Sequence, residues 1–326
     1  MAGSSDVVPD RCLFSAPFAF LPGDLRRDYE AVMPTCFREV WERAELTPDP
    51  DLTAWVVNPG QRFVVDDAVL ALYPALRVLV TPSTGRNHVD VRACAGRGLP
   101  LLSLLDDRDG LEEIAASAEF TFLLLLNTLR RLDVAVREVS DRRWRHREDL
   151  LRGHELSGKL VGLVGLGRIG RRLARYCTAF GARVVYHDPH VTEATLTARP
   201  LEALFGECDV VCVCCALTPA SEGMITETLL ARLKPGACLI NTSRGEIVDE
   251  KALVAVLAAR PDLRVGLDVL GGEVTDSHLT SPLLALHDAG RLVITPHIAG
   301  ATIESQTRAA RIALGLLRRH GTPCRS

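Results

Sequence analysis

The chain has 326 residues, is 47% hydrophobic and 24% charged, and carries a net charge of −3. That length suffices for two domains with real cores, and a nearly balanced charge with no block of one sign argues against nucleic acid as a partner. The most apolar run, FTFLLLLNTL (Phe120–Leu129), is too short for a bilayer, which needs about 20 apolar residues, and MAGSSDVVPD lacks the basic start and apolar core of a signal peptide, so a cytoplasmic protein without a membrane span is expected.

Residues 1–9 read as a loose tail. From Arg11 to about Ser103 short apolar runs alternate with helical stretches. LRVLVTP (Leu76–Pro82) reads as a buried strand ending in a turn, VDVRACAGRG (Val89–Gly98) as a helix stopped by glycine, and LPLLSLL (Leu99–Leu105) as the next strand. One long helix is expected over about Leu111–Val139. Its first half is apolar nearly all round, which predicts burial between other elements. Ser140–Gly158 is a charged connector. A second α/β pattern then runs from Lys159 to Pro296, with strands at Leu160–Val164, Arg183–His187, Val210–Cys215, Ala237–Asn241, Arg264–Leu267 and Leu292–Thr295. A last helix, Thr302–Arg319, follows. Strands alternating with helices imply a parallel, doubly wound sheet. The ten cysteines are scattered, with Cys212, Cys214 and Cys215 in an apolar run. No paired C-x-x-C motif occurs, so neither zinc nor a disulfide framework is favoured and no metal is expected.

The strongest local signal is KLVGLVGLGRIGRRLARYCTAFGARVVYHDPH. An apolar strand leads into Gly165-Leu-Gly167-Arg-Ile-Gly170, a helix follows, and a second strand ends at Asp188. Gly165 permits the tight turn, Gly167 lets the backbone approach a pyrophosphate, and Gly170 lets the helix pack close to the sheet. The helix N-terminus supplies free N–H groups for phosphates. Asp188 lies 18 residues past Gly170, within reach of ribose hydroxyls. Its charge repels a 2′-phosphate and no arginine follows in DPHVTEA, so NAD is favoured over NADP. About 160 residues precede this loop and one helix follows the last strand. The simplest arrangement is a nucleotide-binding domain, 114–298, inserted into a substrate domain made of 1–113 and 299–326. The cleft between them would be the active site.

A nicotinamide implies hydride transfer, which needs an acid or base at the substrate oxygen and a cation for its anion. Arg244, in LINTSRGEIVDEKAL, follows a buried strand and offers a planar fork to a carboxylate, although it could instead cap the next helix. Asp268 and Glu273, in VGLDVLGGEV, stand at and beyond another strand end. His297, in TPHIAGAT, ends the last strand and can carry the proton. A carboxylate beside it would orient the ring. Glu273 is the better candidate, because Asp268 is closer to the strand and the cofactor.

Taken together, GHELSGKLVGLVGLGRIG, YHDP, LTPASEGMI, LKPGACLINTSRGEIVDEKAL, LDV and TPHIAGAT, spread over residues 76–310, resemble the D-2-hydroxyacid dehydrogenase family, which includes D-3-phosphoglycerate dehydrogenase. The resemblance implies two Rossmann-like doubly wound α/β domains, the substrate domain being flavodoxin-like. It implies that Arg244 binds substrate and that Glu273 pairs with the catalytic His297. Asp268 matches the acid near the nicotinamide carboxamide, and Arg168 and Ile169 match positions on the pyrophosphate. Cys215, Thr242 and Ser243 fall at backbone positions lining the cofactor, and Gly300 is counted with them. STGRNHVD resembles the glycine-rich substrate loop, placing Ser83, Thr84 and Gly85 at the substrate carboxylate. Val274 stands where proline usually follows the glutamate, and Ser83 where the loop usually begins with glycine. The places of phosphate-holding arginines in phosphoglycerate enzymes correspond to Asn58 and Thr81, with Arg62 or Arg86 as possible substitutes. With about thirty residues following His297, no C-terminal regulatory domain is expected. A homodimer through the nucleotide domain is implied, with the connector Arg142–Arg152 near the interface. The implied function is NAD-dependent hydride transfer at C2 of a small 2-hydroxy or 2-oxo acid, phosphorylated or phosphonate acids included. The alternatives are a NAD-sensing, corepressor-like binding protein and a dehydrogenase of a small anion such as phosphite or formate.

Overall fold

A computed structural model describes residues 10–321; the tail read at 1–9 lies outside them. The chain divides into two compact units. One runs to Ile114 and takes in 274–276 and the C-terminal stretch from Ala301; the other comprises 115–273 and 277–300.

The first unit carries β1 (Cys12–Phe14), β2 (Thr35–Phe37), β3 (Ala54–Val56), β4 (Val78–Thr81) and β5 (Leu101–Ser103). All pairs are parallel and the order is β2-β1-β3-β4-β5, the flavodoxin-like order. Residues of β1, β3 and β4 are buried on both faces, as a parallel sheet between helices requires. One face packs on Leu25 and Tyr29 of the Gly23–Val32 helix and on Ala313, Leu316 and Leu317 of the Ile303–Gly321 helix. The Tyr29 hydroxyl donates to the Ala310 carbonyl at 2.6 Å, tying the C-terminal helix to the start of the chain. The other face is built on Trp55, Val69, Tyr73 and Leu79.

The second unit carries β6 (Leu160–Val164), β7 (Arg183–His187), β8 (Thr197–Ala198), β9 (Val210–Val213), β10 (Cys238–Asn241), β11 (Arg264–Leu267) and β12 (Val293–Ile294). The order is β12-β11-β10-β9-β6-β7-β8, parallel throughout. Counted from β6 this is the dinucleotide-binding order with one further edge strand. Ligands in such sheets lie beyond the strands' carboxyl ends, where the order reverses, here between β6 and β9.

The single helix expected over 111–139 is three: Arg108–Glu112, Ala116–Arg130 and Leu132–Ser140. The last break falls at Arg131, whose backbone is left-handed (φ 54°) and whose N–H closes the preceding helix on the Asn127 carbonyl. Expected burial all round the middle helix is also corrected. Its Ala118, Thr121, Leu124, Leu125, Thr128 and Leu129 are buried, while Leu123 is 55% exposed. A helix lying on one sheet covers only one stripe of its surface. The sheet makes room for it at Gly266, where a Cβ would stand 2.5 Å from Thr128 Oγ1. Strand ends are shorter than the apolar runs suggest: β9 stops at Val213 and β12 spans Val293–Ile294. No helix among the described residues is long and apolar enough to cross a membrane.

Candidate active site

The loop after β6 shows why three glycines stand there. Gly165 has φ +97°, and a Cβ on it would meet the Cys215 amide nitrogen at 2.6 Å. A Cβ on Gly170 would meet the Gly165 carbonyl at 2.4 Å, so the Arg168–Ala179 helix packs directly under the loop. Gly167 differs: its Cβ would meet nothing within 4 Å. Its missing side chain leaves open space over the helix N-terminus, where an anion meets backbone N–H groups and the positive end of the dipole. Arg168 and Ile169 form the first turn there and are half-buried. Asp188, just past β7, accepts from the Leu166 amide at 2.8 Å with Oδ2 and from the His190 amide at 2.9 Å with Oδ1. Each oxygen keeps a lone pair for a ribose hydroxyl. Loop, open cradle and acid fit a dinucleotide.

The opposite wall comes from the turns after β9 and β10. Ser243 Oγ donates to the Cys215 carbonyl. Thr242 meets Thr121 at 2.6 Å between hydroxyls, and Thr121 donates to the Ser117 carbonyl at 2.6 Å, so Thr242 is the donor between the two. Asn241, which sequence reasoning missed, braces this turn: its Oδ1 accepts from Ser243 N at 3.0 Å and its Nδ2 donates to Arg244 O at 2.8 Å. Asparagine at a strand end before a turn was the available signal. Gly300 is exposed, near Ser117.

Arg244, Glu273 and His297 follow the carboxyl ends of three neighbouring strands, β10, β11 and β12. The turn after β10 is pressed onto the loop after β11. A Cβ on Gly245 would fall 2.0 Å from the Leu270 carbonyl carbon, so only glycine fits beside Arg244. The same loop is held from below by two further carboxylates missed in the sequence. Glu250 accepts from Gly271 N at 2.5 Å, and Glu246 from Gly272 N at 3.2 Å. Glu273 Oε1 accepts from Leu270 N at 2.9 Å, and its Oε2 receives His297 Nδ1 at 2.5 Å. Burial pushes the Glu273 carboxyl up, but the His297 hydrogen bond and charge, the Leu270 amide and the Arg244 charge outweigh it and hold it below the ordinary carboxylate value. Burial draws Arg244 down from the usual guanidinium value against the pull of Glu273 and Glu246; its Nη1 donates to Ser243 O at 2.6 Å.

His297 itself has a left-handed backbone, φ +53°, which costs a non-glycine residue of order 1 kcal/mol or more and persists only where the surroundings impose it. Its N–H is fixed on Asp268 O at 2.8 Å and Thr295 O at 3.0 Å. Asp268 imposes the rest. It has no exposed surface, and its carboxylate takes Thr295 Oγ1 at 2.6 Å, Ile298 N at 3.0 Å and Ala299 N at 2.8 Å. Burial pushes it above the ordinary aspartate value. Asp268 thus clasps the loop that presents His297. Because Glu273 is an acceptor, Nδ1 carries the ring proton toward it, and Nε2 is the end left without a partner among the described residues.

Ser83, Thr84 and Gly85 lie in the first unit, in the loop after β4. The Ser83 carbonyl accepts from Leu104 N at 3.1 Å and the Gly85 carbonyl from Ser83 Oγ at 2.8 Å. Among the described residues the amides of Thr84, Gly85 and Arg86 have no acceptor.

Residues 122–299 match the model of "D-isomer specific 2-hydroxyacid dehydrogenase, NAD binding domain". The chain belongs to the D-isomer specific 2-hydroxyacid dehydrogenase family. The matched stretch is its NAD-binding domain, and NAD is the cofactor. Among relatives of this dehydrogenase family, D-3-phosphoglycerate dehydrogenase of Mycobacterium tuberculosis is 34% identical over 269 residues, 81% of this chain and 48% of that protein. The chain thus spans about half the length of these curated relatives. The (S)-sulfolactate dehydrogenase of Chromohalobacter salexigens is 32% identical over 325 residues, covering 97% of this chain and 98% of the relative. The crystal structure of TT0316 protein from Thermus thermophilus superposes with a TM-score of 0.79 at 30% identity, covering 97% of this chain and 99% of that one.

Proposed function

We propose that this family member interconverts a small D-2-hydroxy acid and its 2-oxo acid. The observation that carries the reading is the His297–Glu273 contact of 2.5 Å, on adjacent strand ends of the NAD-binding unit that also carry the half-buried Arg244. Bound NAD supplies the hydride donor or acceptor for C2. Arg244 holds the substrate carboxylate with its planar fork. By the family resemblance, the amides of the Ser83–Gly85 loop hold a substrate carboxylate, and the lack of acceptors for the Thr84 and Gly85 amides among the described residues suits the role. His297 Nε2 gives a proton to the oxygen as the ketone is reduced and takes it back in oxidation. Glu273 keeps Nδ1 protonated, fixes the ring and offsets the imidazolium charge.

The substrate proposed carries no phosphate. Asn58 is buried, with Nδ2 donating to Val40 O at 2.9 Å and Oδ1 accepting from Gly60 N at 3.0 Å. Thr81 is fully buried and bonded to Ser83 and His88. Neither offers a cation. Arg62 is 3.1 Å from Glu42, and Arg86 is 3.3 Å from Asp106 and donates to Ser103. These pairs already balance the arginine charges. The test is NADH oxidation with glyoxylate, pyruvate, hydroxypyruvate, phosphohydroxypyruvate and phosphonopyruvate. Turnover of an unphosphorylated member supports the reading. Turnover of the phosphorylated or phosphonate acids alone overturns the substrate class. Silence on all, with NADH bound, moves the weight to a NAD-sensing role or to phosphite or formate as substrate.

The proposed assembly is a homodimer through the NAD-binding unit. Leu132, Val136 and Val139 share one face of the Leu132–Ser140 helix, and each is more than half exposed, as are Leu123 and Trp144. An apolar face of this kind on a folded chain marks a contact surface. The adjoining turn is stiffened by the buried Glu138, which takes Arg143 at 2.8 Å on each oxygen. Val136→Asp is expected to turn a dimer into a monomer in light scattering at micromolar protein. An unchanged mass would remove this surface from the interface.

A further inference from the structure

A buried histidine in the first unit has no part in the reaction described so far. His88 is 2% exposed, and its Nε2 lies 2.9 Å from Thr81 Oγ1. Thr81 Oγ1 lies 2.9 Å from Ser83 Oγ, and Ser83 Oγ donates to the Gly85 carbonyl at 2.8 Å.

The direction of this chain is settled by counting protons. A carbonyl only accepts, so the Ser83 hydroxyl proton goes to Gly85 O. The contact between Thr81 and Ser83 then needs the Thr81 proton, or two lone pairs would face each other at 2.9 Å. Thr81 has therefore no proton left for the histidine, and Nε2 must be the donor. The run reads His88 Nε2–H to Thr81, Thr81 to Ser83, Ser83 to Gly85 O, each hydroxyl donating once and accepting once. Hydrogen bonds in series polarise one another.

The consequence falls on the loop amides. A trans peptide turns its N–H away from its C=O. With the Ser83 carbonyl fixed on Leu104 N and the Gly85 carbonyl fixed by this chain, the N–H groups of Thr84 and Arg86 are turned to the other side, where no described residue accepts them.

We propose that His88 is a positioning residue: through Thr81 and Ser83 it orients and polarises the loop amides that take the substrate carboxylate. The inference rests on the reading that the Ser83–Gly85 loop binds that carboxylate. The probe is glyoxylate, the smallest 2-oxo acid, at saturating NADH. His88→Phe and Thr81→Val each remove one link at nearly constant volume. Each is expected to raise the KM for glyoxylate roughly tenfold, with kcat within about twofold and NADH affinity unchanged. The double variant is expected to be no worse than either single one, since one chain is broken once or twice. His88→Gln, which keeps an N–H donor at about the same reach, should recover most of the loss. Unchanged KM in both single variants, additive losses, or failure of glutamine to rescue a folded protein overturns the inference. Thr84→Pro, with its melting temperature measured alongside, separates the two levels. If removing that amide leaves KM unchanged, the loop reading itself fails. If it raises KM while His88→Phe is silent, only the role of His88 fails.

Discussion

His297→Asn is expected to lower kcat for the 2-oxo acid by about a thousandfold while NADH binds as before. Asparagine is the informative replacement because it tolerates the left-handed backbone that His297 occupies at φ +53° and cannot shuttle a proton. Steady-state kinetics with NADH titration decides it. A loss of less than about tenfold in kcat would take the proton transfer away from this imidazole. Glu273→Gln is the graded companion. It keeps an oxygen for Nδ1 but not the charge, and a loss between the parent and His297→Asn is expected. It also has a pH signature. The folded Glu273 carboxyl sits below its ordinary value of 4.5, so its contribution to stability is fully present above that value and is lost as pH falls through the folded one. The melting-temperature difference between parent and Glu273→Gln should therefore be constant at neutral pH and shrink on the acid side. A difference flat across that window would show that the His297 and Arg244 contacts do not stabilise the carboxylate.

Arg244→Gln is expected to lower kcat/KM by a hundredfold or more, about 3 kcal/mol, the range for removing one partner of a buried charged pair. Two effects add. The substrate carboxylate loses a planar two-pronged donor, and Glu273 loses a cation that helps hold it ionised. Arg244→Lys should recover little, since an ammonium offers a point charge without the fork. Oxalate, tested as a carboxylate ligand against the NADH complex, should bind more weakly in step with KM. If kcat/KM falls while oxalate binding is untouched, Arg244 acts on Glu273 and not on the substrate.

Much of this was open to inspection in the chain itself. Gly165, Gly167 and Gly170 at fixed spacing, with Asp188 beyond, state a dinucleotide loop because each glycine answers a local steric demand: a positive φ, an open cradle, a helix pressed against a carbonyl. Arg244, Glu273 and His297 were legible as polar residues following apolar strands, because parallel strands deliver their C-terminal residues to one edge of the sheet. The amino-acid order alone thus determined the fold class, the cofactor and the three residues proposed for chemistry. Other features depend on neighbours far away in the chain. The break at Arg131 was hidden by an unbroken apolar run. The clasp of Asp268 on Ile298 and Ala299 joins residues 30 and 31 positions apart. The support of the Glu273 loop by Glu246 and Glu250 crosses 26 and 21 positions. Propensity and periodicity report what a residue prefers near its own backbone. Which oxygen of Asp268 meets which amide, and that Leu123 stays uncovered among the described residues, are decided only when the strands align and distant loops are brought within 3 Å of one another.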